Sequence, residues 1–402
     1  MLVQKAEKGH GDDEPSTSKL VQSNFVVGEP LGHGTFGRVW TVEPRKRPGQ
    51  LLAMKELMRF SHPKYIEMEL NVLRELGGTC NIMQIHAAFR DKDRVFVIMD
   101  YFPHDSIRDI LDNISMLEIL EYMRNLFIAL QHLHKNGIIH RDIKPANFLY
   151  NRKLKKYSLI DFGLSQSFES ASKENENGLT PSSLRTRSAA KRLSLSNDAV
   201  ESPPEKRWRG RCLCAGQLAV CLACNKKPSK NVNKAGTPGF RAPEILMRAD
   251  RQTPLIDIWS AGITMLSLIC RKYPIFRPVD DADAIMQIAM IVGTSVLEEV
   301  AKESGDFLCL KPSYPGVDYA KLMVCARGGG VESLPPSVGG GCRHCARSIF
   351  GNEQLRKCIC KDREPPLRLS SEEVLAVNAL ERCLKADPKS RYTAEMLISL
   401  LQ

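Results

Sequence analysis

The spacing of apolar residues changes along the chain and divides it into two parts. Short apolar runs separated by turn-forming residues fill the first part, and they predict strands over 24–31, 38–43, 51–57 and 94–102. One stretch of helical spacing, 61–78, lies among them. From there on, the long periodic stretch 115–136 and most of the chain after residue 224 predict helices. We therefore predict an α+β fold class, with a small N-terminal lobe of antiparallel strands plus one helix and a larger, mainly helical C-terminal lobe.

Shifts in composition place the boundaries of these parts. Residues 1–22 are polar with mixed charges, which predicts a disordered N-terminal tail. We assign 23–102 to the N-terminal lobe and 103–401 to the C-terminal lobe. Two stretches interrupt the second lobe: 168–232 is rich in Ser, Asn, Lys and Arg, and 311–366 contains Gly-Gly-Gly runs and scattered cysteines. Because loops of this length are uncommon in compact domains, we interpret both as inserts.

The net positive charge of the chain indicates which kinds of partner it could bind. The 402 residues carry a net charge of +11, and lysine and arginine crowd into 185–211. Such a run favours an acidic partner or a nuclear localisation signal, and a solvated charged loop explains it equally well. Because the run lies in an insert, we expect no sequence-specific binding of nucleic acid. The N-terminus lacks a signal-peptide core and no apolar run reaches about 18 residues, so we expect no membrane segment.

A glycine-rich segment, LGHGTFGRV, follows the first predicted strand. Its G-x-G-x-x-G spacing is a weak signal alone, because two different nucleotide-binding folds use it. Here strand-like residues flank the segment on both sides, which favours a hairpin folded over phosphates rather than a strand-to-helix turn. The candidate nucleotide-binding residues are Leu31, Gly32, His33, Gly34, Thr35, Phe36, Gly37, Arg38 and Val39.

A cation that could hold these phosphates is expected on the neighbouring strand. Lys55, two residues after Ala53, ends the apolar run LLAMK, which argues against the usual solvent-exposed lysine. On the predicted helix, Glu69 falls on the apolar face and Glu67 falls outside it. A carboxylate on an apolar face is costly unless it is paired, so we predict that Glu69 binds Lys55. A capping or solvent-facing glutamate is the alternative.

The most specific pattern lies in the middle of the chain. The segment HRDIKPAN ends at Asn147, and YSLIDFG places Asp161 after a short predicted strand. Asp142 can accept a hydroxyl proton, and Lys144 can reach a γ-phosphate. Asn147 and Asp161 can hold Mg²⁺. Each residue alone could be structural, but this set in this order fits phosphoryl transfer from ATP.

These motifs together resemble those of the eukaryotic protein kinases, over essentially residues 25–401. Further matches are GTPGFRAPE, DIWSAG and Arg391. The resemblance implies the bilobal protein kinase fold, ATP and Mg²⁺ as cofactors, and serine/threonine specificity from Lys144 in HRDIK. It also implies that Glu244 and Arg391 form a buried ion pair of structural importance. The residues that it adds around adenine are Met99, at the back of the pocket, and Asp100–Phe102, which would present backbone groups.

The places of the two inserts, with AGTPGFRAPE between them, indicate which group of protein kinases the chain resembles. The chain is similar to the cell division cycle 7 kinases, the catalytic subunits of the kinase that triggers replication origins. That resemblance implies a regulatory activator subunit, substrates in the minichromosome maintenance helicase, and a nuclear location. Three alternatives stay open: a cyclin-dependent-like or casein-kinase-like kinase with unrelated inserts, a pseudokinase scaffold, and a zinc protein that binds nucleic acid.

The cysteines of the inserts suggest metal sites. Without a secretion signal, the 13 cysteines favour thiols or metal ligands over disulfides. Paired spacings of C-x-C and C-x-x-C predict structural tetrahedral Zn²⁺, and unconnected thiols are the alternative. The first set is Cys212, Cys214, Cys221 and Cys224. The second set is Cys342, Cys345, Cys358 and Cys360, where His344 could replace one thiolate.

Two cations flank the segment GTPGF. We expect this segment to contact the substrate residue that directly follows the one carrying the acceptor hydroxyl. The two cations are Lys234 and Arg241. Cations at this place predict a preference for an acidic or phosphorylated residue there. Arg241 could instead only stabilise the segment.

Overall fold

Five strands form one antiparallel sheet. They are β1 (Phe25–Gly34), β2 (Gly37–Pro44), β3 (Leu52–Leu57), β4 (Ile85–Asp91) and β5 (Arg94–Asp100), and they lie in the order β1-β2-β3-β5-β4. The central strand β3 is buried on both faces. Because side chains alternate along a strand, Ala53 and Leu57 join the main core, while Met54 packs in a second cluster on the other face.

The computed structural model describes residues 18–34, 37–57, 63–168, 235–248, 252–304, 307–330, 333–334, 358–361 and 367–402. All of them belong to one compact unit, Met1–Phe168 with Val232–Gln402. A second unit, Glu169–Asn231, holds most of the first predicted insert and lies outside the described residues.

A short helix, α1 (Lys19–Asn24), covers the outer face of the sheet. Ser18 caps it by accepting the Val21 N–H at 3.2 Å, and the Ser18 hydroxyl donates to Asp91 at 2.5 Å. Val21 is fully buried among the apolar residues of the second cluster. The prediction that 1–22 is disordered is therefore wrong for residues 18–22, because the buried Val21 anchors this mostly polar segment, whereas its apolar neighbour Leu20 is exposed.

One helix of the N-terminal lobe packs beside the sheet. This helix, α2, spans Pro63–Leu76, inside the predicted range 61–78. Its buried residues are Glu69, Val72, Leu73 and Leu76. The helix therefore carries a buried carboxylate on its core-facing side, where it faces β3.

Helices build the C-terminal lobe. They are α3 (Ile107–Asn113), α4 (Met116–Lys135), α5 (Pro243–Leu246), α6 (Leu255–Ile269), α7 (Asp281–Val292), α8 (Thr294–Glu303), α9 (Tyr319–Gly328), α10 (Ser371–Cys383) and α11 (Ala394–Leu400). Short strands β6 (Ile138–Ile139) and β9 (Gln166–Ser167) pair with each other, as do β7 (Phe148–Asn151) and β8 (Lys156–Leu159). Helix α6 lies in the middle of the core, and nearly all of its residues are buried.

In the described ranges no single helix is long and apolar enough to cross a membrane, although the bent pair α7–α8 passes the same test of length and composition.

The second predicted insert is partly regular structure. Helix α9 lies inside the range 311–366. The backbone of Val317 forms an antiparallel bridge with Cys360, so residues 358–361 lie against the segment before α9. The stretch 311–366, which we interpret as an insert, therefore contains regular structure in its first part. The boundaries of the lobes and of the other insert stay predictions.

Candidate active site

The glycine-rich segment forms the hairpin of β1 and β2. Gly32 pairs with Val39 and Gly34 with Gly37 across the two strands. Gly37 has a φ of +152°, and a β-carbon there would collide with the backbone oxygen of Glu56 on β3. Gly32 has open space around its α-carbon. Glycine therefore serves a different purpose at each position. At Gly37 a side chain would collide with the neighbouring strand β3, whereas at Gly32 the missing side chain leaves room over the cleft.

A cleft of ≈ 400 Å³ lies under this hairpin, between the sheet and the helical lobe. Sequence-predicted residues that line it are Leu31, Gly32, Gly37, Val39, Ala53, Lys55, Glu69, Met99, Asp100, Phe102, Lys144, Asn147 and Asp161. Lining residues that the sequence analysis missed are Leu73, Met83, His104, Ala146, Leu149 and Ile160. Arg38 and Asp142 do not line it. Thr35 and Phe36, and the side chain of His33, lie outside what the structure describes.

The segment that joins the lobes closes one side of the cleft. Strand β5 ends at Asp100, and Phe102 follows it. The Asp100 N–H donates to the carbonyl of Gln84 at 3.2 Å, so this N–H is not free for a ligand. The Asp100 carboxylate lies 2.6 Å from His86 Nε2. Of the backbone groups expected to face adenine, the N–H of Asp100 is therefore already used.

Lys55 lies between two carboxylates at the inner end of the cleft. Its Nζ is 2.6 Å from Glu69 Oε1 and 2.9 Å from Asp161 Oδ1. Burial alone would lower the pKa of Lys55, but the two carboxylates outweigh this and raise it above the usual range. Burial raises the pKa of Glu69, and Lys55 opposes that rise. Lys55 is therefore a fixed positive charge, which can hold phosphate oxygens.

Asp142 is held by four hydrogen bonds. Its Oδ1 accepts the Thr237 hydroxyl at 2.6 Å and the Thr237 N–H at 2.9 Å. Its Oδ2 lies 2.8 Å from Lys144 Nζ and accepts Asn147 Nδ2 at 3.0 Å. Burial would raise the pKa of Asp142, but the bonds from Lys144 and Thr237 hold it below the ordinary aspartate value. Asp142 is therefore an ionised acceptor in a fixed orientation. Thr237 is a partner that the sequence analysis missed.

The loop that carries Asp142 is held in place through its backbone by the buried helix α6. Asp257, fully buried in the first turn of α6, accepts the N–H groups of His140 and Arg141 at 2.8 Å each. It also lies 2.9 Å from His134 Nε2. Arg141 has a φ of +71°, a strained backbone that persists only when its surroundings fix it. Asp257 supplies that constraint; the sequence analysis identified its motif but not this role.

The chain offers oxygen ligands that suit Mg²⁺. Asn147 donates its Nδ2 to the backbone and the carboxylate of Asp142, which leaves its Oδ1 as an acceptor. Asp161 uses Oδ1 for Lys55, and within the described ranges its Oδ2 has no hydrogen-bond partner. A carboxylate and an amide oxygen in one cleft match the donor set that Mg²⁺ takes beside nucleotide phosphates. These two residues would hold the metal that neutralises phosphate charge.

The cysteine predictions fall mainly outside the described residues. This holds for Cys212, Cys214, Cys221, Cys224, Cys342 and Cys345. Cys358 is buried and Cys360 is half-buried on the segment that meets Val317. No group of three or more His, Cys, Asp or Glu side chains in the described ranges could hold a metal ion. The zinc sites therefore stay predictions.

The ionisation of Asp142 should not make the rate of phosphoryl transfer depend on pH near neutrality. Because the folded pKa lies below the ordinary aspartate value of 3.8, Asp142 stays ionised at all higher pH. Its contribution to stability is likewise complete above that value and is lost only as pH falls through the lower folded pKa. We expect kcat at saturating Mg²⁺ and ATP to show no titration of Asp142 between about pH 5 and 8. An inflection there that moves in an Asp142→Glu variant would contradict this assignment.

Comparison with known proteins agrees with this geometry. The chain matches the protein kinase domain family over residues 25–184 and 220–400. It is 30% identical to the mouse cell division cycle 7-related protein kinase, over 79% of this chain and 74% of that protein. It is 36% identical to the probable cell division control protein 7 homolog 2 of Encephalitozoon cuniculi, over 71% of this chain and 76% of that protein. It is also 31% identical to the cell cycle serine/threonine-protein kinase hsk1 of Schizosaccharomyces pombe, over 92% of this chain and 64% of that protein. The chain therefore belongs to the protein kinase family, as a serine/threonine protein kinase similar to the cell division cycle 7-related kinases.

Proposed function

We propose that the cleft transfers the γ-phosphate of ATP to a serine or threonine hydroxyl with the following division of labour. Lys55, fixed by Glu69, holds the α- and β-phosphates, and Asn147 with Asp161 holds Mg²⁺. Asp142 orients the acceptor hydroxyl and accepts its proton, while Lys144 neutralises charge on the γ-phosphate. The observation that carries this is the position of Lys55 Nζ between Glu69 and Asp161, 2.6 and 2.9 Å away.

We further propose that this kinase acts in the cell cycle, in the nucleus, to trigger replication origins. In this proposal it phosphorylates the minichromosome maintenance helicase and works with a regulatory activator subunit. The support is the similarity to the cell division cycle 7-related relatives over most of both chains, together with the positions of the two inserts. The described residues contain every catalytic position of the motifs, which favours an enzyme over a scaffold.

The test is phosphorylation of purified helicase subunits by the chain, with and without the candidate activator subunit. We expect the helicase subunits to be modified at least tenfold faster with the activator than without it, while a generic kinase substrate such as myelin basic protein shows no such selectivity. Equal rates on both substrates, unaffected by the activator, would keep the kinase and remove the replication role. Co-purification of the two subunits without any transfer would support the scaffold alternative.

Arg241 is proposed to favour an acidic residue just after the acceptor. Its Nε donates to the Gly236 carbonyl at 3.0 Å, and its Nη1 lies 3.5 Å from Asp281 Oδ1, so one part of the guanidinium also stabilises the segment. Lys234, the second predicted cation, lies outside the described residues. We expect Lys234→Ala with Arg241→Ala to reduce the preference for Asp over Ala at that position by about tenfold in kcat/KM. An unchanged preference would show that Arg241 only stabilises the segment.

We also propose that the insert cysteines hold structural Zn²⁺. Two C-x-C and two C-x-x-C pairs supply the thiolates that a closed tetrahedral site requires. Purified protein should contain one to two equivalents of zinc by elemental analysis, and Cys212→Ser with Cys214→Ser should remove about one. Cys80→Ser, which changes an exposed cysteine outside both sets, should remove none. Zinc-free protein with full stability would overturn the proposal.

A further inference from the structure

A second groove lies beside the segment that joins the two lobes, outside the nucleotide cleft. Its volume is ≈ 540 Å³, compared with ≈ 400 Å³ for the cleft. Residues 50–52 and 81–84 line it from the N-terminal lobe, and residues 154–158 line it from the C-terminal lobe. We call it the back groove. No residue of these three ranges takes part in the proposed transfer of phosphate.

Each wall of the back groove carries one exposed leucine. Leu51, just before β3, is 49% exposed, and Leu154, in the turn between β7 and β8, is 55% exposed. The backbone at Leu154 is held in place, because its N–H donates to Asn151 Oδ1 at 2.8 Å. A single exposed leucine is ordinary, but two that line the same groove offer apolar contact from both walls.

Basic residues adjoin both of these leucines. Lys46 and Arg47 lie in the turn before the first leucine, and the Gln50 N–H donates to the Arg47 carbonyl at 3.3 Å, which closes this turn. Lys153 and Lys156 lie on either side of the second leucine. These four cations are exposed, and none of them forms an ion pair with a residue that the structure describes.

The other charged side chains of the back groove already have contacts within the chain. Lys155 Nζ lies 2.7 Å from Glu121 Oε2. Asp100, the one carboxylate among the described lining residues, lies 2.6 Å from His86 Nε2. The uncompensated charge at the rim is therefore positive and comes from both lobes, so the groove attracts an anionic ligand.

Two amide side chains add hydrogen-bond acceptors to the groove. Asn81 donates its Nδ2 to the carbonyl of Asn125 at 3.0 Å, and Gln84 donates its Nε2 to the carbonyl of Ile85 at 2.8 Å. The Oδ1 of Asn81 and the Oε1 of Gln84 accept no hydrogen bond from the residues that the structure describes. Because both side chains line the groove, these oxygens can accept N–H groups of a polypeptide backbone.

We propose that the back groove binds an extended segment of a partner protein in which carboxylates alternate with large aliphatic side chains. Successive side chains of an extended chain point to opposite sides, so the aliphatic set can contact Leu51 and Leu154 while the carboxylates contact the basic rim. The phosphate backbone of a nucleic acid would pair with the cations but would leave the two leucines without apolar contact. The groove is separate from Lys55 and Asp142, so this inference does not depend on the proposed replication role.

The test is binding of a short fluorescent peptide of alternating glutamate and leucine to the purified chain, measured by fluorescence anisotropy. A peptide of alternating lysine and leucine has the same apolar content and the opposite charge. We expect the glutamate peptide to bind with at least tenfold lower Kd. Since neither peptide contains an acceptor hydroxyl, the measurement does not require any transfer of phosphate.

Variants of the groove locate the binding. Lys153→Glu combined with Lys156→Glu should raise the Kd of the glutamate peptide at least tenfold, because it reverses two charges of the rim. Leu51→Ser combined with Leu154→Ser should raise it about tenfold through the lost apolar contact. Because all four side chains are exposed, both variants should keep the wild-type kcat on a short serine peptide.

Matched controls make the same changes away from the groove. Lys302→Glu combined with Lys361→Glu reverses two exposed charges, and Leu117→Ser removes a leucine of α4 that is 59% exposed. Both controls should leave the Kd within about twofold of the wild-type value.

Three kinds of result would overturn the proposal. One is the absence of binding, or an equal Kd for the two peptides. Another is a Kd that stays the same in both groove variants, or displacement of the peptide by a serine substrate, since either would place the binding elsewhere. The third is tighter binding of single-stranded oligothymidine that the leucine changes do not weaken, which would make the groove a nucleic-acid site.

Discussion

Replacing Asp142 by Asn should lower kcat by about 10²- to 10⁴-fold, because a positioned proton acceptor contributes that much to transfer. The amide keeps the shape of the side chain, but it loses the negative charge that faces Lys144 at 2.8 Å. It also cannot accept the proton of the substrate hydroxyl. Since Asp142 does not line the cleft under the glycine-rich hairpin, the KM for ATP should change less than about threefold.

Steady-state kinetics with a serine peptide and varied ATP would measure both constants. Asp112→Asn is a matched control, since it makes the same change on an exposed residue of α3. It should keep the wild-type kcat. A loss in Asp142→Asn that appears only in the KM for ATP would contradict the proposed role and point to a structural effect on the cleft.

Replacing Arg391 by Met should cost about 3–5 kcal/mol of the free energy of unfolding, because it leaves a buried carboxylate without its partner. Arg391 Nη1 lies 2.7 Å from Glu244 Oε1, and the arginine side chain is 0% exposed. The guanidinium also donates to the Leu255 carbonyl at 2.7 Å and lies over the Trp259 ring. Arg391 thereby ties α5, and with it the segment GTPGF, to the buried helix α6.

Urea unfolding of the two proteins would measure the loss. Lys135→Met is the matched control, because Lys135 and Glu395 form an ion pair of 3.0 Å whose side chains are 59% and 65% exposed. That variant should lose less than about 1 kcal/mol. Similar losses in the two variants would show that burial does not set the strength of the Arg391 pair.

The sequence identified most of the cleft because its chemistry is concentrated in short segments. Glu69 is an example: a carboxylate on the apolar face of a helix needs a cation, and the only strand lysine at the end of an apolar run was Lys55. The structure places the two 2.6 Å apart. Leu73, Met83 and Ile160 line the same cleft, but as ordinary core residues they carry no local signal.

The partners of Asp142 and its loop could not be found in the same way. Thr237 and His134 come from segments far away in the sequence, and only the folded chain brings them within 3 Å of Asp142 and Asp257. Two elements of secondary structure, β4 and α1, were also not predicted from the sequence. Strand β4 shows mostly exposed positions, so it lacks the apolar alternation that marks β3 and β5, and α1 is held by one buried valine in a polar segment.

The most direct test of the account is transfer of labelled γ-phosphate from ATP to a serine peptide by the purified chain, alone and with the candidate activator, with Asp161→Asn as the comparison. The account predicts that transfer by the wild type requires Mg²⁺. It also predicts that Asp161→Asn, which keeps the side-chain shape beside Lys55 but loses the charge for the metal, still binds ATP and transfers at least 10³-fold more slowly. Transfer by Asp161→Asn at the wild-type rate, or ATP binding by the wild type with no transfer under either condition, would contradict it.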